Sequence, residues 1–362
     1  MAIYPSYHGL VYLLTLGYNM ITITLYGRKD CHLCDEAKKM LAEINDRYPH
    51  QLIEIDTDQN TDLKKQYGND IPVIEIGPYT MRAPIQRPEL EITLAAAIDR
   101  KQQLETLKDP TYIENLRRGA EWTLADRIAL WISKHYLLMI NSVVLLYLGI
   151  PFLAPVFMKI NLPTPAIAIY RVYGIVCHQL AYRSFFLFGD QIAYPRQAAG
   201  VSYLKSYHEA TGLSEDNSTE SIFAARSYIG APHIGYKIAL CQRDIAIYSG
   251  ILLFGLIYAL FNRKLPSLPW YLWIIFGLIP IGMDGVSQLI SQPPFSLLPY
   301  RESTPILRVL TGSMFGFTTA WFGFPSVEES MAETRRILGA KQLRIATLLN
   351  QLKSRSNEAS LQ

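Results

Sequence analysis

The chain has 362 residues, half of them hydrophobic, and a formal charge of only +3. That length leaves room for two or three domains, and so small a net charge without a basic aromatic platform argues for no nucleic-acid partner. Four cysteines are too few for a disulfide scaffold, and they fall as one close pair, Cys31 and Cys34, and two distant singles, Cys177 and Cys241.

Residues 1–19 include an apolar stretch, 8–17, that is too short to span a bilayer and lacks a basic flank or a small-residue cleavage site. They read as an appendage, with Met20 as the candidate start. Residues 21–26 then alternate as a half-buried strand. Cys31-His32-Leu33-Cys34 follows and opens a helix whose Ala37, Met40, Leu41 and Ile44 share one face. A Cys-x-x-Cys between a strand and a helix start is a redox arrangement. Free backbone N–H groups and the positive helix end favour a thiolate at Cys31, and Arg28 and Lys29 add charge nearby. Cys34, one turn on, is placed to resolve a mixed disulfide. Further on come a strand at 52–56, a helix at 61–67 closed by Gly68, a strand at 71–76 and a turn at Gly77-Pro78. A short strand near 81–84 and a helix to about residue 107, with Pro88 in its first turn, complete the region.

This βαβαββα order resembles the thioredoxin superfamily, most closely its glutaredoxin-like branch. The match covers residues 20–107 and rests on Tyr26, Cys31-His32-Leu33-Cys34-Asp35-Glu36-Ala37, the strand ending in Asp56, and Ile71-Pro72-Val73. The resemblance implies an α/β thioredoxin-like domain in which Pro72 is cis, packs on the reactive pair and shapes the substrate groove. Asp70-Ile71 stand where glutathione-binding members carry Thr-Val, and no Gly-Gly follows. This counts against glutathione and leaves exchange with a disulfide-containing protein or a small thiol. Two other readings of the pair are half of a zinc site, for which this domain offers no second Cys or His pair, and a domain kept only for docking.

Residues 108–136 read as an amphipathic linker lying on a membrane surface. Apolar segments at 137–158, 245–261, 270–290 and 305–324 predict an all-α polytopic membrane domain over 137–324, with about four transmembrane helices. Between the first two lies an external loop, 159–244; a further simple span at 166–189 is rejected because it would carry Arg171, His178 and Arg183, which leaves a re-entrant or interfacial segment there. A charged helical tail over 325–362 reads as a solvated or surface helix. Basic residues before the first span, at Arg263-Lys264 and after the fourth place the N-terminal domain and the tail in the cytoplasm. In a prokaryote the membrane would be the plasma membrane.

Polar residues recur at one depth of this half: Cys177-His178-Gln179, Arg183, Cys241, Arg243, Asp244, Asp284, Gln288, Arg301-Glu302 and Arg308. An ionisable residue inside a span normally faces a cavity or a partner, so Asp284 paired with Arg308 or Arg301 is a candidate site. The blocks Cys-His-Gln…Arg-Ser, Cys-x-Arg, Asp-Gly-x-x-Gln and Arg…Thr-Gly are similar to an uncharacterised polytopic family, domain of unknown function 2085, over residues 137–324. Many of its members have a second Cys where Asp244 stands. Cys177 and Cys241 have three readings: a disulfide, a metal site completed by His178 and Asp244, or buried small residues. His208 and His233 read as surface histidines.

Together these point to a membrane-anchored thiol–disulfide oxidoreductase that uses Cys31 and Cys34, with the lipid bilayer and a disulfide-bearing molecule as partners. The alternative is a polytopic enzyme or transporter whose site lies near the outer face, with the redox domain as regulator or docking module.

Overall fold

The computed structural model describes residues 20–359, apart from 60, 108–109, 112–113, 115–117, 120 and 293–294. The expected appendage at 1–19 and part of the linker lie outside the described residues. The chain forms two units: Met1–Lys134 with Met331–Gln362, and His135–Ser330.

In the first unit, β1 (Ile21–Gly27), β2 (His50–Asp56), β3 (Val73–Ile76) and β4 (Tyr79–Arg82) form one sheet in the order β2-β1-β3-β4. The β1–β2 pair is parallel and the other two pairs are antiparallel. Helices α1 (His32–Ile44), α2 (Thr61–Tyr67) and α3 (Arg87–Thr106) complete the expected βαβαββα order. Alternation along β1 sends Ile21, Ile23 and Leu25 to one core with Ala37, Leu41, Ile44, Leu90 and Leu94. Tyr26 faces the second core with Ile53, Ile55, Leu63, Tyr67, Ile71 and Val73. Ala340, Leu343 and Leu348 of the C-terminal helix pack against that second core. Of the two readings of the tail, solvated or surface helix, the second fits, because one of its faces is apolar and covered.

The second unit holds α5 (Pro163–Tyr173), α6 (Tyr207–Thr211), α7 (Thr219–Ser227), α8 (Gln242–Leu260) and α9 (Trp270–Ser291). Two longer helices, α4 (Leu124–Lys159) and α10 (Pro305–Ala359), run through it as well. Within α9, Ile274–Leu278 is wound as a π-helix just before Pro280. A proline has no N–H to give to the preceding turn, and its ring crowds that turn's carbonyl. Helices α4, α8 and α9 are long and apolar enough to cross a membrane. They leave Leu138, Val143, Leu146, Leu253, Leu256, Ile275, Met283 and Val286 exposed, an apolar surface that suits lipid and not water.

Several expected boundaries change. The amphipathic segment from Leu124 and the first span form one helix, which carries Pro151 and Pro155 within it. The fourth segment and the tail likewise form one 55-residue helix. Three described helices qualify as spans by length and apolarity, where about four were expected. The head of α10 falls short because Arg308, Thr311, Gly312 and Ser313 dilute it. The domain is also not all-α, and its 159–244 segment is not an irregular loop. That segment carries β5 (Ser184–Leu187), β6 (Gly230–Ala231) and β7 (Gly235–Cys241), antiparallel in the order β5-β7-β6. Tyr182, Phe186, Tyr194, Tyr207 and Ile234 form a core beneath the sheet. The rejected span at 166–189 is instead the end of α5, a turn and β5.

Helices α8 and α10 approach closely through small residues. A Cβ on Gly250 would stand 2.7 Å from the Ser313 carbonyl oxygen, and one on Gly312 would stand 2.9 Å from that of Arg243. Gly316 meets the Ile247 backbone in the same way. Small residues at four-residue spacing let membrane helices gain backbone-to-backbone packing that lipid cannot supply.

Candidate functional site

The first unit carries the dithiol. Cys31 is the N-cap of α1, with extended backbone angles, and Cys34 lies one turn inside the helix. The two are joined as a disulfide with Cα atoms 5.2 Å apart. The Cys34 N–H donates to Cys31 Sγ at 3.2 Å. Cys34 is 2% exposed, whereas Cys31 is half-buried. His32 points outward and pairs with Glu36 at 3.1 Å. The Ile71–Pro72 bond is cis, as the resemblance implied, and leads directly into β3.

A Cβ at Gly27 would lie 3.0 Å from Cys34 Sγ, so the end of β1 needs glycine for the sulfur to sit where it does. Gly27 was not singled out from the sequence, where nothing but its place before the motif marks it. Beside Cys34 is a cavity of about 290 Å³, lined by Arg28, Lys29, Lys38, Glu54 and Asp56, with Leu343 and Thr347 of α10. Lys38 donates to Glu54 at 2.7 Å, and this bond raises its pKa above the ordinary lysine value. On the sheet, the Tyr26 hydroxyl donates to Glu75 at 2.9 Å and Arg344 of α10 reaches the same carboxylate at 3.4 Å. Burial, and then the Glu75 charge, push the Tyr26 hydroxyl well above its usual range.

The second unit gathers the remaining polar residues. Asp284 is buried and accepts from Arg243, from Arg301 at 3.0 Å and from the Ser303 hydroxyl at 2.8 Å. The Gln288 amide donates to the Asp284 carbonyl at 3.1 Å. Arg301 is therefore a partner of Asp284, as expected, but Arg308 is not. Arg308 pairs with Glu302, which also takes Arg183 at 2.9 Å and lies 3.6 Å from Arg196. Arg196 was missed as a site residue, and Glu302 was noted among the polar residues without a partner assigned to it. Glu302 sits between two other polar residues in a loop, and Arg196 lies 106 positions earlier in the segment read as a loop. Arg196 also stacks over the Tyr182 ring at 4.0 Å and donates to the Tyr182 hydroxyl at 2.8 Å.

Cys177, Cys241 and Asp244 converge beside this network. Cys177 follows α5 and donates its N–H to Tyr173 at 2.9 Å. Gln179 adopts a left-handed conformation at φ 52° and donates its amide to the Tyr170 and Ala239 carbonyls at 3.0 and 2.9 Å, which pins the turn to β7. Cys241 ends β7 and is the N-cap of α8, and Asp244 lies in the first turn of that helix. The two sulfurs and an Asp244 oxygen all lie within 4.8 Å of one another. Both thiols are free, so the disulfide reading is not what the structure contains. A hydrogen bond from Cys241 lowers the Cys177 thiol pKa, and the same contact with burial raises that of Cys241. His178 lines the adjoining cavity, of about 240 Å³, but its ring is not within that cluster. Of the four residues read as a metal set, Cys177, Cys241 and Asp244 come together and His178 does not join them. Arg183, Arg243, Arg308 and Gln288 line the same cavity. Deeper in, Lys237 is buried and donates to the Gln179 and Arg226 carbonyls at 2.8 and 2.6 Å; burial pulls its pKa down to about 7.

Residues 22–106 match the glutaredoxin-like domain family DUF836, and residues 232–322 match the family described as predicted membrane protein (DUF2085). Uncharacterized protein MJ1492 of Methanocaldococcus jannaschii is 30% identical over 202 residues, which cover 53% of this chain and 92% of that protein. The chain belongs to the DUF2085 family of predicted membrane proteins. This DUF2085 protein carries a glutaredoxin-like domain ahead of its membrane region. Structural-genomics target protein XcR50 from X. campestris is 32% identical, with the alignment covering 20% of this chain and 96% of that one at a TM-score of 0.19.

Proposed function

We propose that the protein is a membrane-anchored thiol–disulfide oxidoreductase, with Cys31 as the attacking thiolate and Cys34 as the resolving thiol. The observation that carries this reading is the asymmetry of the pair. Cys31 caps a helix N-terminus and is partly accessible, while Cys34 is buried directly behind it. In the reduced protein, Cys31 Sγ attacks one sulfur of a substrate disulfide. A mixed disulfide forms and the first substrate thiolate leaves. Cys34, as its thiolate, then attacks Cys31 Sγ, which releases the second substrate thiolate and leaves Cys31 and Cys34 oxidised. A low-molecular-weight thiol or dithiol returns the pair to its reduced form by the reverse exchange. Pro72, next to β3, is proposed to shape the groove that receives the substrate.

The fold supports one membrane arrangement for this activity. The first unit includes both the N-terminal domain and the segment after Met331. Basic residues flank the membrane region at both ends, so we infer that both ends lie on one side, which needs an even number of crossings between them. Helices α4, α8 and α9 supply three, so we assign the fourth to the head of α10. Its basic flanks, with those before α4, favour the cytoplasmic side for the whole first unit.

A test is reduction of a disulfide-bonded protein substrate by the full chain in detergent, with a small dithiol as electron source. Cys31→Ser is expected to remove the reduction, and Cys34→Ser to halt it at a trappable mixed disulfide. Undiminished reduction by Cys31→Ser would sink the mechanism.

The second unit supports a second reading, an enzyme or transporter with its own site. Five guanidinium groups surround two buried carboxylates there, at Asp284 and Glu302. That is more charge than helix packing in a bilayer ordinarily carries.

A further inference from the structure

The charges of the second unit divide unevenly. Arg243 and Arg301 are committed to Asp284, and Arg183, Arg196 and Arg308 gather on Glu302. The Lys237 ammonium donates to two backbone carbonyls. Asp244 is left with no salt bridge to a described side chain, although it stands against two thiols. Three groups that each become anionic on deprotonation thus share one corner of a partly closed cavity, and no side-chain cation is dedicated to them.

From this we infer a metal site: Cys177 Sγ, Cys241 Sγ and one Asp244 oxygen bind a divalent ion of the zinc class. The ligand chemistry selects the ion. Two thiolates exclude magnesium and calcium, while a carboxylate third ligand favours Zn2+ over a soft monovalent ion. The spacing fits as well. Ligands at about 2.0–2.3 Å around a tetrahedral ion stand roughly 3.3–3.8 Å apart, so the observed 4.8 Å limit closes with side-chain movement of about 1 Å.

The elements that bring the ligands in are firmly held. Cys241 and Asp244 belong to the junction of β7 and α8, and Cys177 is fixed by the bonds of its own N–H and of the Gln179 amide. The three ligand residues also line the 240 Å³ cavity, whose wall carries His178, Arg183 and Gln288. An ion bound by three protein ligands keeps a fourth position toward that cavity. This is the coordination of a working site rather than a closed structural one. Binding releases the two thiol protons to solvent and changes no oxidation state.

The experiment is metal analysis of the full chain, purified in detergent without chelator and then equilibrated with zinc. About one zinc per chain is expected. It should persist in Cys31→Ser/Cys34→Ser and be lost in Cys177→Ser/Cys241→Ser, while Asp244→Asn weakens binding by about tenfold or more. A second measurement needs no variant. Alkylation of Cys177 and Cys241 in the unmutated protein should be slow with zinc bound and fast after chelation. Absence of zinc, zinc that follows Cys31 and Cys34 instead, a Cys177–Cys241 disulfide in the purified protein, or alkylation unaffected by chelation would each overturn the assignment.

Discussion

The chain holds two cysteine pairs that differ in how they are built. Cys31 and Cys34 are three residues apart and face each other because one helical turn brings them together. Cys177 and Cys241 are 64 positions apart and meet because β7 and α8 return to the turn after α5. The first pair has a helix N-terminus, basic neighbours and no carboxylate between the sulfurs, the setting of a reactive thiolate. The second has a carboxylate as its third member, which repels a thiolate unless a cation lies between them. Local geometry therefore suits one pair to exchange bonds, and tertiary geometry suits the other to hold an ion.

Exchanging the serine variants between assays breaks the comparison most sharply. Cys31→Ser is expected to abolish disulfide reduction while leaving bound zinc in place. Should Cys31→Ser and Cys177→Ser impair reduction alike, the two pairs would belong to one electron path and the contrast would fail.

The contrast also governs what was legible beforehand. The four strands and three helices of the first unit follow from alternation, a helical face and turn residues, because its contacts are largely between neighbouring elements. The cover provided by α10 did not follow. Ala340, Leu343 and Thr347 do share a face at helical spacing, but Arg335, Arg336, Lys341 and Arg344 around them gave the tail a solvated look. In the second unit apolarity marked the spans, yet β5 and β7 stayed hidden inside what read as a loop. Cys177, Asp284, Arg301 and Arg308 were identifiable as polar residues out of place. The pairing of Arg308 with Glu302 was not, nor was Arg196, because neither Glu302 nor Arg196 lies within a hydrophobic run that makes its charge conspicuous. A buried charge pair is a property of packing, and the chain order carries no direct record of it.

Stability sharpens the same comparison. Glu302 is almost fully buried among three guanidinium groups, so Glu302→Gln leaves buried positive charge without its counter-charge. A loss of about 3–5 kcal/mol is expected, read from denaturant unfolding in detergent. Asp70 and Arg82 pair at 2.7 Å in the first unit, but both are largely exposed. Asp70→Asn should cost at most about 1 kcal/mol. Equal costs would mean that the Glu302 network is hydrated and not a buried anchor.

Close helix approach gives an intermediate effect. Gly316→Leu forces a side chain against the Ile247 backbone where α8 and α10 meet, and overpacking of this kind costs about 1–3 kcal/mol. The same change at Gly149, which has open space around it, should be nearly silent. Similar thermal shifts for the two variants would show that α8 and α10 are separable, and would remove the support that their packing gives to a fourth crossing.

The smallest effect concerns the helix over the dithiol domain. Leu343 packs on the core that includes Cys34 and lines the cavity beside that sulfur. Arg344 ties the same turn to Glu75 with a part-exposed ion pair, which adds little by itself. Gln351 adds hydrogen bonds with Gln51 and Leu52 of β2, and apolar contact the rest, so Leu343→Ala should weaken the attachment by about 1–2 kcal/mol. Local opening of that order raises the fraction of uncovered domain by roughly tenfold without unfolding it. Amide exchange around Ala340 and Thr347 should quicken, and reduction of a large protein disulfide should speed up more than reduction of a small one. If instead both substrates react at unchanged rates while exchange quickens, the helix covers the core and not the approach to Cys31, and the dithiol is open to partners of any size.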